Sequence, residues 1–356
     1  MKVTHFGLAL AFASTLGVAA LPANAGELGV ATFVPPQHHA STVMFTWFGE
    51  EPAKRSGGDR KMKLYPAGQL GAGPVQQHKR AVAGVADITF GVSAHTPALF
   101  PKTMLAIPPG TANSSADATK RILAVFDEHL ADECQDAKVI GITTASGIGN
   151  EATRDVSSLE GLNGAKIVPC AALTTPIIEA MAADPVQMPV TEMHAGLSAG
   201  TIDGAHATYS NMTASWNFAE VATRDTDNMP VTFAILLVAM NEERHLGLSL
   251  GHRAIIDALS GEPASMTDVT RFRNEGRRGL DCLATCPDAV TDVISVSVSA
   301  EERARMDAII AEGLKDVFAE HGERGITNAE EIHEAMNRQV TAAGSPNAVA
   351  LLGMAM

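Results

Sequence analysis

The chain has 356 residues, 26 Lys and Arg against 40 Asp and Glu, and a formal net charge of −14. Its basic residues are scattered singly, so no basic stripe for nucleic acid exists. Past residue 25 no apolar run reaches the roughly eighteen residues that a membrane span needs. The longest, VTFAILLVAM at 231–240, has the length and β-branched content of a buried strand.

Residues 1–25 read MKVTHFGLALAFASTLGVAALPANA, with Lys2, an apolar run from Phe6 to Ala20, and Ala23-Asn24-Ala25 before Gly26. This is the layout of a secretory signal, and cleavage is expected after Ala25, which makes the mature protein periplasmic. No Cys sits at the junction to carry a lipid anchor. The remaining chain exceeds what one core usually serves, so two lobes are expected.

Strands are predicted at 29–34, 61–65, 86–92 and 139–143, then at 165–168, 186–188, 201–207, 231–240 and 293–298, each flanked by Gly, Pro or Asn. A helix is predicted over 116–133, where Ile122, Leu123, Phe126 and Leu130 recur at three- and four-residue steps. A second is predicted over 301–321, with Glu301 and Glu302 in its first turn and a stripe from Met306 to Phe318. This alternation predicts an α/β architecture with sheets covered by helices.

One punctuation occurs twice, in AVAGVADITFG at 81–91 and GLSAGTIDGAHA at 196–207. Gly84 and Gly200 are predicted to end helices in the left-handed conformation. Asp87 and Asp203 are then predicted to accept backbone N–H bonds where the next strand starts, an architectural rather than chemical role. In such sheets ligands bind in a crevice at the strand ends. Of the four cysteines, Cys282 and Cys286 stand four apart; a local disulfide and two unpaired helical thiols both remain open.

LYPAGQLGAGPVQQHKRAVAGVADITFGV resembles the first-lobe signature of solute-binding proteins of tripartite ATP-independent periplasmic (TRAP) transporters. LEGLNGAKIVP and ADPVQMPVTEMHAGLSAGTIDGAHA resemble the second-lobe signature, and FVPPQHH fits the same family, so the resemblance runs from about Gly29 to about Ala342. It implies an α/β two-lobe periplasmic binding protein with hinge strands, a long bracing helix and an interlobe ligand cleft. Residues 26–150 would form mainly the first lobe and 151–235 mainly the second, with 236–356 shared. It further implies capture of a small organic solute and delivery to the small and large membrane permease subunits. No cofactor, metal or nucleic acid is expected, and the protein is expected to be a monomer.

One departure bears on the solute. Where family members read L-K-G-L-K-I-R-V-P, with an Arg that forks onto the solute carboxylate, this chain reads Leu162-Asn163-Gly164-Ala165-Lys166-Ile167-Val168-Pro169. Where many relatives read T-P-G-R-F-P, it reads Thr96-Pro97-Ala98-Leu99-Phe100-Pro101. Arg154 is expected at the surface, and Lys166 on the opposite strand face. The solute is therefore expected to be a polar metabolite or organic acid other than a simple C4-dicarboxylate. It would be neutral or zwitterionic, or an anion held by hydroxyls, amides, imidazoles and backbone N–H groups; loss of tight binding is the third reading.

The resemblance carries pocket roles to His38, to His95 and Thr96, to Val168 and Pro169, and to Tyr209 and Asn211. Asn150, in the GIGN turn, and Phe233, at the start of the hydrophobic strand, join them, though turn and core roles compete there. Trp216 is expected on a helix face in the core, and Met181, Met188 and Met193 as packing. No His pair shows helical metal spacing with an acidic companion. GLSLG at 247–251 matches G-x-S-x-G, yet lacks the strand directly before it, so Ser249 is not expected to be a nucleophile. An exported hydrolase using Ser249, and a ligand sensor for a receptor kinase on the same fold, are the alternatives to transport.

Overall fold

The computed structural model describes residues 27–341 apart from 97, 109–111, 113, 135, 146–147, 214, 231 and 286–292, so the expected signal segment and Cys286 lie outside the described residues. The chain runs β1 (Glu27–Thr32), α1 (Phe45–Arg55), β2 (Lys61–Tyr65), α2 (Gln77–Val82), β3 (Ile88–Val92), α3 (Ser115–Val125) and β4 (Ala137–Thr144). It continues through β5 (Ile148–Ala152), α4 (Leu159–Leu162), β6 (Lys166–Val168), α5 (Thr175–Ala180), β7 (Asp184–Pro185), α6 (Val190–Ala199), β8 (Gly204–Thr208) and β9 (Arg224–Asp227). The last stretch holds β10 (Ile235–Asn241), α7 (Glu242–Leu246), α8 (Leu250–Leu259), α9 (Glu262–Thr285), β11 (Ile294–Ser297), α10 (Ala300–Glu323) and α11 (Ala329–Thr341).

Two sheets result. The first has the order β2-β1-β3-β10-β4, with β10 antiparallel to both neighbours. The second has the order β11-β9-β5-β8-β6-β7, with β5 antiparallel to both neighbours. The chain leaves the first sheet from β4 into β5 and returns from β9 into β10. A large core surrounds the first sheet, built on Phe48, Phe90, Phe100 and Leu105. The second sheet buries Ile167 with Ile177 and Ile310 on one face, and Val168 with Leu197 and Phe218 on the other. Alternation along β6 therefore serves two cores at once.

Both Gly-x-x-Asp units fold as expected. Gly84 and Gly200 have φ of 66° and 68°, and Gly200 closes α6. Asp87 Oδ2 accepts from Gly29 N–H at 2.7 Å, and Asp203 Oδ2 accepts from Lys166 N–H at 2.8 Å. Each carboxylate ties the start of its strand to the neighbouring parallel strand.

Several predicted boundaries move. The expected strand at 186–188 is replaced by β7 two residues upstream, because Pro189 starts the turn into α6. The helix over 116–133 is regular only to Val125; it widens into a π turn at Phe126–Leu130 and then tightens into a 3-10 turn that ends at Cys134. β5 and β9 carry no sequence signal: IGNEA and RDTD lack the apolar alternation of a strand. Asn150 therefore lies within a strand and not in a turn.

α9 packs on β4, α3 and the π-helical turn at Ala40–Met44 of the first lobe, and on the turn at Tyr209–Met212 of the second. It is the brace. Cys282 on this helix is disulfide-bonded, whereas Cys134 and Cys170 are free and buried. At Gly279 the backbone carbonyl of Tyr209 occupies the space where a Cβ would stand. Gly279→Ala should therefore destabilise the protein by about 2 kcal/mol or more through this backbone clash, despite the better helix propensity of Ala. Gly251→Ala in α8, which meets nothing within 4 Å, should instead gain up to about 1 kcal/mol. Paired thermal melts read both, and an unchanged midpoint for Gly279→Ala would contradict the close brace contact.

Candidate ligand-binding cleft

A cleft opens between the two sheets, at the C-terminal ends of β1, β3 and β8. The strand starts at the other end are held by the Asp87 and Asp203 ties, so lining side chains project from anchored strands.

An aromatic wall dominates it. Phe33, just after β1, stacks on Phe90 of β3 at 6.0 Å between ring centroids and 4° between planes. On its other side Phe33 stacks against Trp216 of the second lobe at 6.4 Å and 16°. His38 meets the Trp216 ring edgewise at 5.9 Å. Phe272 of the brace and Leu236 of β10 close the apolar part. Aromatic faces from both lobes thus meet across the opening.

The polar lining is uncharged. It comprises His38, His206, Thr208 and Asn211, and none of the described lining residues is Asp, Glu, Lys or Arg. His38 Nδ1 accepts from Ala40 N–H at 3.0 Å, which leaves the ring proton on Nε2. Burial holds the His38 pKa well below the usual imidazole value, and the Arg271 cation adds to that. His39 behind it, stacked at 4.1 Å, is depressed for the same reasons in the same order. Burial alone brings His206 down to about 4. Arg271 itself does not line the cleft. It is buried under the wall, paired with Asp268, donating to His39 Nδ1, and lying over the Phe272 ring at 4.2 Å.

The structure sorts the sequence-derived candidates. His38 and Asn211 line the cleft, and Asn211 Oδ1 accepts from Thr208 Oγ1 at 3.1 Å. Thr96 lines a small adjoining cavity that shares Pro74 and Val92 with the cleft; its hydroxyl donates to the Ser93 carbonyl at 3.0 Å. His95 lies in the short turn Ser93–His95 just before it. Val168 is fully buried against α6 and Pro169 is buried beside it; the residue of this segment that reaches the cleft is Cys170. Tyr209 packs over Gly149 beside Asp225, outside the cleft. Asn150 is fully buried, with Nδ2 at 3.5 Å from Met229 Sδ. Phe233 is half-buried on the first core, and its neighbour Ala234 forms the cleft floor.

Trp216 corrects an expectation: it sits in a turn and not on a helix face, half-buried, with its ring in the cleft. Cys170, His206 and Phe272 line the cleft beyond the residues that the sequence points to. For His206 a signal existed, since GAHAT places it near the same strand end that delivers Asn211. Arg154 and Lys166 are exposed away from the cleft. Among the described residues no group of three or more His, Cys, Asp or Glu side chains converges. Ser249 serves as the N-cap of α8, accepting from His252 N–H at 3.3 Å.

Beyond the cleft, the second sheet buries two acids opposite each other, Glu151 of β5 and Asp225 of β9. Burial pushes Glu151 well above the carboxylate range, and Asp225 adds to the shift. Burial, then the charge of Asp227, raises Asp225 to about 6.

The family model described as "Bacterial extracellular solute-binding protein, family 7" matches residues 30–321. Among solved structures, a marine-metagenome TRAP solute-binding protein specific for aromatic acid ligands, bound to metahydroxyphenylacetate, superposes with a TM-score of 0.80 at 23% identity, over 90% of this chain and 100% of that one. A TRAP solute-binding protein from Rhodoferax ferrireducens with copurified benzoate gives 0.80 at 21% identity, over 89% and 98%. One from Bordetella bronchiseptica with bound (R)- and (S)-mandelate gives 0.78 at 18% identity, over 89% and 99%. At these identities the likeness establishes the two-lobed fold.

The acid pair yields a pH signature. Because the folded pKa of Asp225 is raised, its ionisation penalises the native state. The penalty is absent near pH 4, accumulates as pH rises to about 6, and is constant above. Asp225→Asn should therefore stabilise the protein by about 2 kcal/mol at pH 7.5 and by little at pH 4. Denaturant titrations at the two pH values measure this; an advantage independent of pH would exclude ionisation of Asp225 as its source.

Proposed function

The chain belongs to family 7 of the bacterial extracellular solute-binding proteins, and from that premise we propose that it is the receptor of a TRAP-type transporter for a small organic solute with a planar ring. The observation that carries the ring is the Phe33–Trp216 stack, which brings aromatic faces from the two lobes together at the mouth of the cleft. A planar ring laid against this aromatic wall buries apolar surface on both partners and can stack on it. That solved relatives hold hydroxyphenylacetate, benzoate and mandelate supports the same class. The lack of an arginine in the AKIVP segment argues against C4-dicarboxylates.

In this reading the signal segment exports the chain and is cleaved after Ala25, and the mature protein acts as a periplasmic monomer. Solute closes the lobes about the links between β4 and β5 and between β9 and β10. The closed form then docks on the small and large permease subunits, which are driven by an ion gradient. The receptor carries no catalytic step; the hydroxyl of Ser249 is committed to capping a helix.

Thermal-shift and calorimetric titration with benzoate, 3-hydroxyphenylacetate, mandelate, benzamide and succinate tests the reading. At least one ring compound is expected to raise the melting temperature by mass action while succinate leaves it unmoved. Trp216→Ala should weaken that ligand about tenfold or more with the fold retained by circular dichroism. Tight succinate binding, together with silence of every ring compound, would overturn it.

A further inference from the structure

His206 stands at a partition. It lines the interlobe cleft on one side and, on the other, a small chamber with room for about one water-sized group, walled by Thr174, Ile177, Met229 and Thr232. Only 8% of its surface is exposed, and its Nε2 is buried with no hydrogen-bond partner. The strand register places Asn150 directly opposite His206, and Thr226 directly opposite Asn150. Asn150 Oδ1 and Thr226 Oγ1 are likewise buried and unpartnered. Since side chains directly opposite across strands share a face, three adjacent strands present three unsatisfied polar groups on one side of the second sheet. Buried polar groups are satisfied in almost all folded proteins, so a row of exceptions beginning at the cleft marks a place for another molecule's polar atoms.

We infer that His206, where it faces the cleft, is a polar subsite that meets an uncharged hydroxyl or carboxamide substituent of the ring solute. This rests on the reading of the cleft as a ring-binding site and adds how the ring's polar end is chosen.

The chemistry of the walls decides between a neutral and an ionised substituent. A neutral imidazole offers one N–H donor and one acceptor nitrogen, which matches a hydroxyl or carboxamide that both gives and takes hydrogen bonds. A carboxylate only accepts, and in a cleft whose described lining holds no cation it would be desolvated without a counter-charge. The AKIVP segment holds no arginine, and its Val168 side chain is turned into the α6 core. The nearest buried guanidinium under the wall, Arg271, is already paired with Asp268 and screened from the cleft by His39 and Phe272. On the second-lobe side the lining residue Cys170 is buried and uncharged as well, so that wall supplies no counter-charge either.

Matched ligands test this on the mature wild-type protein. 3-Hydroxybenzoate and 3-hydroxybenzamide match in shape and differ in the charge and donor capacity of one substituent, and calorimetry at pH 7.5 in 50 and 500 mM NaCl compares them. The carboxamide is expected to bind about tenfold or more tighter, with a Kd that changes less than about twofold between the two salt concentrations. His206→Leu should weaken the carboxamide about tenfold and leave toluene unchanged, while His206→Gln, which keeps a donor and an acceptor, should retain most of the affinity. A carboxylate that binds more tightly than its amide and weakens with salt would overturn the subsite. So would a folded His206→Leu variant with unaltered affinity for the carboxamide, which would assign the row of polar atoms to buried water. If no ring compound binds at all, both the ring-solute reading and the subsite fall; preference for the carboxylate removes the subsite alone.

Discussion

The cleft depends on the antiparallel pairing of β10 with β4. That pairing continues past the ends of both strands, where Ala145 N–H donates to the Ala234 carbonyl at 2.9 Å. Ala145 begins the link into the second sheet and Ala234 ends the link back, and both line the cleft. The floor of the binding space and these two connections between the lobes are thus the same backbone, while the chain crosses once more from α9 into β11 and returns through α10 to α11. Paired links and brace helix together fix where the two sheets meet, and the cleft lies along that line.

Against that floor, α9 supplies the opposing constraint. It crosses from β4 to the turn at Tyr209–Met212, and Gly279 lets the Tyr209 carbonyl come against the helix axis. The same helix carries Phe272 into the cleft and Arg271 beneath it. A bulky cation is thereby kept within reach of the ligand site yet spent on Asp268 and His39. Its residual effect is indirect: it helps keep His38 and His39 neutral. The cleft is built from aromatic area and neutral hydrogen-bonding groups, a combination that binds by fit and desolvation rather than by long-range attraction.

The local devices were legible in sequence, and the facing of side chains across the lobes was not. Gly84 with Asp87, and Gly200 with Asp203, obey short-range rules of helix termination and strand entry, so their roles follow from spacing alone. His38 and Asn211 were found because resemblance fixes which loops end at the cleft. Trp216 was misread because a tryptophan among small residues has the same local pattern in a core helix as in a clamp; only packing between lobes separates them. Val168 and Cys170 show the finer limit. They lie on one strand and its continuation, and which of them reaches the cleft is decided by how the sheet meets α6. Asn150 looked like a turn because Gly149 and Asn150 lack apolar alternation, yet pairing to β8 on one side and β9 on the other holds them extended.

The two Gly-x-x-Asp units also explain how the cleft end tolerates unsatisfied groups. At the start of β3, Asp87 accepts from Gly29 N–H and from Arg244 Nε at 2.8 Å, while Arg244 also reaches the Glu27 carbonyl. At the start of β8, Asp203 accepts from Lys166 N–H through its carboxylate and from Thr153 N–H through its carbonyl. Both strands are fully tied at the end remote from ligand. Each buried polar atom without a partner costs about 1–3 kcal/mol, and a row of them persists only where the surrounding structure over-determines the fold. Strands anchored at their starts meet that condition. They leave His206 and its neighbours held in place and unpaired at the end where a solute arrives.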